Sequence, residues 1–440
     1  MQRTIYSARW IATGASAPLA NAAMLVSEGG NIEMVAPQSQ LDDVDAQRKD
    51  FGEAMLIPGL VNVHAHPELS VFRGLLDDLP FHQWIPTLMR CKRGAALTAE
   101  DYEVAAQWTC VELLRAGVTL VGATEDSGAA VKAFVHAGLR GLVYLETFGP
   151  SPDQASQSLS ELRMKVETRS QFATDAVRIG VSPHAPYTVS DNLFAMVAEY
   201  AKAENFKIAT HAAEAETEDL LVREGLGPFA AGLRSRGIET ASRGRSTIDV
   251  LSKTGILDQA PLLIHAVRVS ADDLEDIQQS GSAIAHCPIA NARLGHGNAP
   301  IVEALEKNIR VGIGTDSVAS NNRLDLLEEA RVAQIGQRAR LQSASALPAR
   351  QLLDITTRAG AEILGFDVGA LEAGKAADFC VVRLDGAHAT PSPDPLNALF
   401  HAARGSDVSY TVVEGRVLFD GQQVLTLDEN DLRERVNLIA

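Results

Sequence analysis

The chain is poor in the features that mark secreted, membrane-bound or nucleic-acid-binding proteins. Its four cysteines, Cys91, Cys110, Cys287 and Cys380, are scattered and form no CxxC pair. That argues against a disulfide framework and fits a reducing, cytoplasmic setting. No apolar run reaches the length of about 18 residues that a membrane span needs. The opening "MQRTIYSARWIATGASAP" also lacks the apolar stretch of a secretory signal. Basic patches are missing too: Asp and Glu outnumber Lys and Arg 56 to 39, a net charge of −17. A phosphate backbone or an anionic membrane demands clustered Lys and Arg, so neither is an expected partner. A small molecule is the expected ligand. Low-complexity segments and fixed-period repeats are absent as well.

What is present is a chain of 440 residues, 46% of them hydrophobic, enough for a large core and more than one domain. Eight short apolar runs end in polar residues. They are "LIPGLVNVHAH" (56–66), "GVTLVGATE" (117–125), "GLVYLETFG" (141–149), "VRIGVSPHAP" (177–186), "KIATHAAE" (207–214), "PLLIHAV" (261–267), "GSAIAHCP" (281–288) and "RVGIGTDS" (310–317). Rich in Val, Ile, Ala and Gly, they read as strands buried on both faces. Helical segments lie between most of them: 98–117, 127–138, 190–205 and 270–281. Thr98, Ser190 and Ser270 are placed as N-caps, and Gly117 to close the first. Alternating strands and helices predict an α/β fold of (β/α)8 type. A doubly wound sheet fits less well, because no GxGxxG follows the first run. Strand-like alternation recurs near both ends, in "AAMLVSEGGNIEMVAP" (22–37), "ADFCVV" (377–382) and "VSYTVVEGRVLFDG" (408–421). Neither end is large enough for its own core. The expected organisation is therefore a small β-sandwich built from residues 1–55 and 367–440 beside a barrel of residues 56–366.

Chemistry in such barrels sits at the C-terminal ends of the strands. The polar tips here are His64 and His66, Glu125, Glu146, His184, His211 with Glu214, His265, His286, and Asp316. In "HAH" the two imidazoles lie two residues apart and can share one face of a strand. His64, His66, His211 and Asp316 make a plausible metal shell of nitrogen and oxygen donors. Such a set suits Zn²⁺, with Fe²⁺ or Mn²⁺ also possible. Glu214, three residues beyond His211, is placed to reach a metal-activated water, and His265 to orient that water or polarise the substrate. Each residue has an ordinary rival reading. His211 or His265 alone could be a satisfied core histidine, Asp316 could cap a helix, and Glu214 could begin a solvated acidic helix in "EAETED". His286 and Cys287 could be packing residues before Pro288. Their joint order and placement at strand tips favour a hydrolytic metal site.

The motifs "PGLVNVHAH", "SPHAPYTVS", "THAAEAE", "IHAV", "HCPIANARL" and "GTDSVASNNRLDLLEE", in this order, resemble the amidohydrolase superfamily over nearly the whole chain. The chain is most similar to its mononuclear deaminases of adenine nucleosides with bulky 5′ groups. The resemblance implies zinc bound by His64, His66, His211 and Asp316, with Glu214 as proton shuttle and His265 as partner of the attacking hydroxide. It implies substrate contacts from His184 and Glu214, and makes Asp316 a second proton carrier. Relatives with two metals carry a lysine on the fourth strand; "VRIGVSPHAP" has none, so one metal is expected. Two subgroups compete. "LGHGNAPIVEAL", "TDSVASNN", "HPELSVFRGLLDDLPFHQWI" and the insertion "GLGPFAAGLRSRG" resemble aminofutalosine (aminodeoxyfutalosine) deaminases of menaquinone synthesis. The alternative is an S-adenosylhomocysteine/5′-methylthioadenosine deaminase. Those usually carry "TDG" where Ser317 stands here, and a ribose-binding Glu in the region "LMRCKRGAALT". Arg90, Lys92 and Arg93 could face a carboxylate on the substrate or simply be solvated. Triazine or other aminated-ring hydrolases share the metal site, while a non-catalytic scaffold would be expected to have lost ligands. The resemblance also leads us to expect a homo-oligomer. Segments 69–97 and 215–250 are the candidates to cover the barrel mouth.

Overall fold

The computed structural model describes residues 2–14 and 16–440. Eight parallel strands coincide with the eight apolar runs: β1 Leu60–Ala65, β2 Val118–Glu125, β3 Arg140–Thr147, β4 Val177–Pro183, β5 Ala209–Ala212, β6 Leu262–His265, β7 Ala283–His286 and β8 Arg310–Ile313. They form two arrays in chain order, β1 to β4 and β5 to β8. Parallel bridges Val181–Ile208 and Ala65–Asp316 join the arrays, closing the ring. Side chains on both faces are buried, as the apolar composition of the runs requires. The surrounding helices start where short polar side chains take over backbone N–H groups. Thr98 and Asp101 form a capping box at Ala99–Arg115, and Ser270 and Asp273 form one at Ala271–Ser280. Ser190 caps Asp191–Glu204.

The first apolar run is two strands, not one. Ala54–Pro58 belongs to a different sheet, and only Gly59 separates it from β1. A Cβ at Gly59 would lie 2.1 Å from Thr119 Oγ1, so the chain passes this point only without a side chain. The predicted boundary at residue 55 therefore falls inside a strand, and the turn pair Pro58–Gly59 that marks the break lies beyond it.

The two ends of the chain meet in one continuous eight-stranded sheet, made of Thr4–Ile11, Leu19–Val26, Ile32–Pro37, Gln47–Asp50, Ala54–Pro58, Phe379–Arg383, Val408–Val413 and Arg416–Phe419. Its apolar core draws on both ends, with Tyr6 edge-on to Phe379 at 4.9 Å. Arg140 at the start of β3 ties this sheet to the barrel through Asp378 (2.6 Å) and Glu414 (3.0 Å). The last helix, Glu429–Ile439, departs from the sheet unit expected of residues 367–440. It packs on the barrel helix Ala99–Arg115, burying Leu432 and Val436 and pairing Glu429 with Arg115 (2.8 Å). Leu432 and Val436 find their partners on the barrel. Among the described residues no helix is long and apolar enough to cross a membrane.

Candidate active site

At the C-terminal ends of the strands, β1 carries His64, and His66 follows one residue beyond it. Asp316, past the end of β8, is held against β1 by its backbone N–H, which donates to the His64 carbonyl at 3.0 Å. Its φ of +59° turns the carboxylate so that Oδ1 lies 3.3 Å from His64 Nε2 and 3.5 Å from His66 Nε2. The Ser320 hydroxyl donates to the other oxygen at 2.8 Å. Asp316 does not act as the N-cap of the next helix; Ser317 does. From β5, His211 places Nδ1 3.1 Å from the His184 carbonyl, which accepts the Nδ1 proton and leaves the Nε2 lone pair free. The ring centroids of His64, His66 and His211 are 4.8 to 5.4 Å apart.

These residues fit a metal ion. His64 Nε2 is buried without a hydrogen-bond partner, an arrangement that is costly unless a ligand occupies it. Nitrogen donors of His64, His66 and His211 lie within 4.8 Å of one another, as do those of His64 and His265 with an Asp316 oxygen. Burial holds His64 below the usual imidazole range, His66 well below it, and His211 down to about 3. The three rings are therefore neutral and able to ligate. Burial works against ionisation of Asp316, but the close approach of His64 Nε2 and the other imidazoles outweighs it and holds the carboxyl well below its usual range. Three neutral imidazoles and one carboxylate form a donor set that zinc accepts.

Glu214 follows β5 and is clamped from several directions. Tyr187 donates its hydroxyl to Oε2 at 3.2 Å, while His296 Nε2 and His265 Nε2 stand 3.2 and 3.5 Å from Oε1. Glu218 fixes the backbone beneath it, accepting the N–H groups of Ala213 and Glu214 at 2.8 and 2.9 Å. Burial alone would raise the Glu214 pKa, but His265 and His296 prevail and bring it to about 2. His265, with φ +75°, is oriented by Asn291, whose Oδ1 lies 2.9 Å from Nδ1.

These groups open into a cavity of about 640 Å³. Its roof comes from both segments expected to cover the mouth: Phe81 and Trp84 from 69–97, Phe229 from 215–250. Phe229 stacks on Tyr187 at 4.5 Å and meets Phe81 edge-on at 5.8 Å. His184 also lines the cavity, its Nδ1 2.7 Å from Thr188 Oγ1. So does Glu146, raised to about 8 by burial and by the negative charges of Glu68 and Asp126. Arg90 and Arg93 reach the cavity, whereas Lys92, which also lines it, is committed to a buried ion pair with Glu68 at 2.8 Å.

Two strand-tip residues stay out of the cavity. Glu125 accepts the Ala130 N–H at 2.7 Å, and His286 is fully buried with both ring nitrogens unpartnered. Cys287 is buried beside it. Conversely, Tyr187, Asn291 and His296 escape a reading of strand tips, because they lie in the segments that follow strands. The available signals were the motifs that hold them, "SPHAPYTVS" for Tyr187, "HCPIANARL" for Asn291 and "LGHGN" for His296.

Residues 55–418 match the amidohydrolase family. The 5′-deoxyadenosine deaminase of Methanosarcina barkeri is 33% identical, across 94% of this chain and 92% of its own. The 5-methylthioadenosine/S-adenosylhomocysteine deaminase of Natronomonas pharaonis is 35% identical, across 86% and 84%. Helicobacter pylori aminofutalosine deaminase, solved with methylthio-coformycin, shares the fold with a TM-score of 0.81 at 23% identity, covering 94% of this chain and all of that one. With the family match spanning the whole barrel and relatives this similar over most of their length, the chain belongs to the amidohydrolase family and is a hydrolytic enzyme.

Proposed function

We propose that this protein is a zinc-dependent deaminase that replaces the 6-amino group of a 5′-substituted adenine nucleoside by oxygen. The observation that carries this reading is the buried cluster of three neutral imidazoles and Asp316 beside the clamped carboxylate of Glu214. His64, His66, His211 and Asp316 would hold the ion. Bound zinc supplies Lewis-acid activation of a water, whose pKa falls to about 7. Glu214 would take a proton from the attacking water and deliver it to the ring nitrogen next to the amino-bearing carbon, which becomes electrophilic. His265 holds the attacking oxygen by a hydrogen bond. Asp316 carries a second proton to the departing amine. Across the turnover a C–O bond forms, the C–N bond breaks, and ammonia leaves. His184 contacts the nucleoside, and the roof of Phe81, Trp84 and Phe229 encloses it in apolar surface. A resident cytoplasmic enzyme acting on a small molecule suits the acidic, cysteine-poor chain.

For the 5′ group, aminofutalosine is the reading supported by "LGHGNAPIVEAL", "TDSVASNN" and the 225–237 insertion, and by Arg90 and Arg93 at the cavity. It would give the enzyme a place in menaquinone synthesis. The 33% and 35% identical relatives favour a second reading with equal weight, in which the substrate is 5′-methylthioadenosine, S-adenosylhomocysteine or 5′-deoxyadenosine. Ammonia release from these four compounds, measured side by side with zinc-loaded enzyme, decides the matter. At least a tenfold higher kcat/KM for aminofutalosine supports the first reading, and the reverse preference the second. No release from any of them overturns the nucleoside assignment.

A further inference from the structure

Four carboxyl groups line the cavity: Glu68, Glu146, Glu214 and Asp316. Three have partners. Glu68 binds Lys92 at 2.8 Å and accepts the Ser127 N–H at 2.9 Å. Glu214 accepts from the Tyr187 hydroxyl and lies 3.2 Å from His296 Nε2, and Asp316 faces the histidine cluster and accepts from Ser320. Glu146 is 5% exposed, and its Oε1 has no hydrogen-bond partner. A carboxyl group buried in this way is expensive unless something polar arrives to meet it.

The group next to it is matched in kind. His184, at the tip of the neighbouring strand, places Nε2 4.0 Å from Glu146 Oε1. Thr188 donates its single hydroxyl proton to the Ala185 carbonyl at 3.1 Å. Its oxygen therefore accepts from His184 Nδ1 at 2.7 Å, which leaves Nε2 an acceptor turned toward the cavity. A carboxyl group and an acceptor nitrogen side by side, beside His211 of the metal cluster, are complementary to two adjacent hydroxyl groups, each of which can donate or accept.

We propose that Glu146 and His184 bind the 2′,3′-diol of the substrate ribose, one hydroxyl to each, with Glu146 setting the preference for a ribonucleoside. This rests on the nucleoside reading above. A hydroxyl both donates and accepts, so it pairs with the Glu146 carboxyl in either protonation state. The contact also anchors the sugar while the purine lies against the metal cluster and Glu214. The ordinary rival is a second cation held by Glu146, His184 and His211, whose donor atoms lie within 4.8 Å of one another.

The test crosses protein and substrate changes. Wild type, Glu146→Ala and Glu146→Gln are assayed on the best ribonucleoside substrate and on its 2′-deoxy and 3′-deoxy analogues. Metal content and melting temperature are measured for each protein. Wild type should lose roughly 10- to 100-fold in kcat/KM on removal of one of the two hydroxyls, the cost of stranding a buried polar partner. In Glu146→Ala that discrimination should collapse to within about threefold, mainly through a higher KM for the ribonucleoside, with metal content unchanged. Glu146→Gln, which keeps a polar partner, should recover part of it. Equal losses on ribo and deoxy substrates, or loss of a second equivalent of metal in the variants, would overturn the proposal. Wild type that deaminates but ignores both hydroxyls overturns it alone. Wild type that deaminates no adenine nucleoside overturns the nucleoside reading and this inference with it.

Discussion

A buried carboxylate needs donors or positive charge around it to stay ionised. Glu214 obtains them from Tyr187, His265 and His296. Two substitutions separate its chemistry from its placement. Glu214→Gln keeps the side-chain shape but cannot take a proton. It should retain full metal content while kcat falls by about 10²- to 10⁴-fold, the usual worth of a positioned acid–base group. Turnover near wild type would remove the shuttle. His296→Leu keeps bulk near Phe81 but removes the nitrogen 3.2 Å from Oε1. With one of its holders gone, Glu214 should lose alignment, and kcat should fall about tenfold or more with KM nearly unchanged. If kcat stays put in metal-replete protein, His296 does not position Glu214. His64, His66, His211, His265 and Asp316 could be read from the sequence because each lies at or just past the end of a buried apolar run. Tyr187 and His296 could not be read in this way, since only tertiary packing carries segments beyond the strands over Glu214.

Among the elements, the barrel strands were legible because sheets covered on both faces leave apolar runs of strand length, and the helices because Thr98, Ser190 and Ser270 announce their starts. Two elements were not. In the run 54–66 the point where the chain leaves one sheet for another is marked only by Pro58–Gly59, a turn pair enclosed in an otherwise apolar stretch that reads as a single strand. The final helix Glu429–Ile439 finds its partner, Ala99–Arg115, more than three hundred residues earlier, and no local pattern encodes that. Gly59 offers the sharper test. The Cβ of Gly59→Ala would press within 2.1 to 2.7 Å of the Thr119 side chain at the start of β2. The backbone or that strand must shift, at a cost of about 1–3 kcal/mol. Urea unfolding should show a lower midpoint. Because β1 carries His64, metal affinity should weaken along with it. The double variant Gly59→Ala/Thr119→Ala should recover part of both losses; failure to recover would place the strain elsewhere.

For the molecule as a whole, burying histidines carries a consequence for acid stability. His286 shows it most cleanly, because it lies outside the cavity and both its nitrogens lack partners. Burial, reinforced by His265, lowers its pKa from the ordinary 6.5 to about 3. In the unfolded chain it takes up a proton near pH 6.5; in the native protein it does so only near pH 3. Between those values the unfolded state binds one proton more, so stability falls as pH falls. The slope contributed by this residue is up to about 1.4 kcal/mol per pH unit, and above pH 6.5 its contribution no longer changes. His286→Leu removes the group while keeping an apolar side chain in a fully enclosed position. At pH 8 the variant should be as stable as wild type or more so, since an unpartnered polar ring leaves the core. From pH 6 to pH 4 its unfolding free energy should decline less steeply than that of wild type, by close to one proton's slope. Parallel acid limbs in urea titrations at these pH values would mean that His286 gains a partner or water in solution that satisfies its charge.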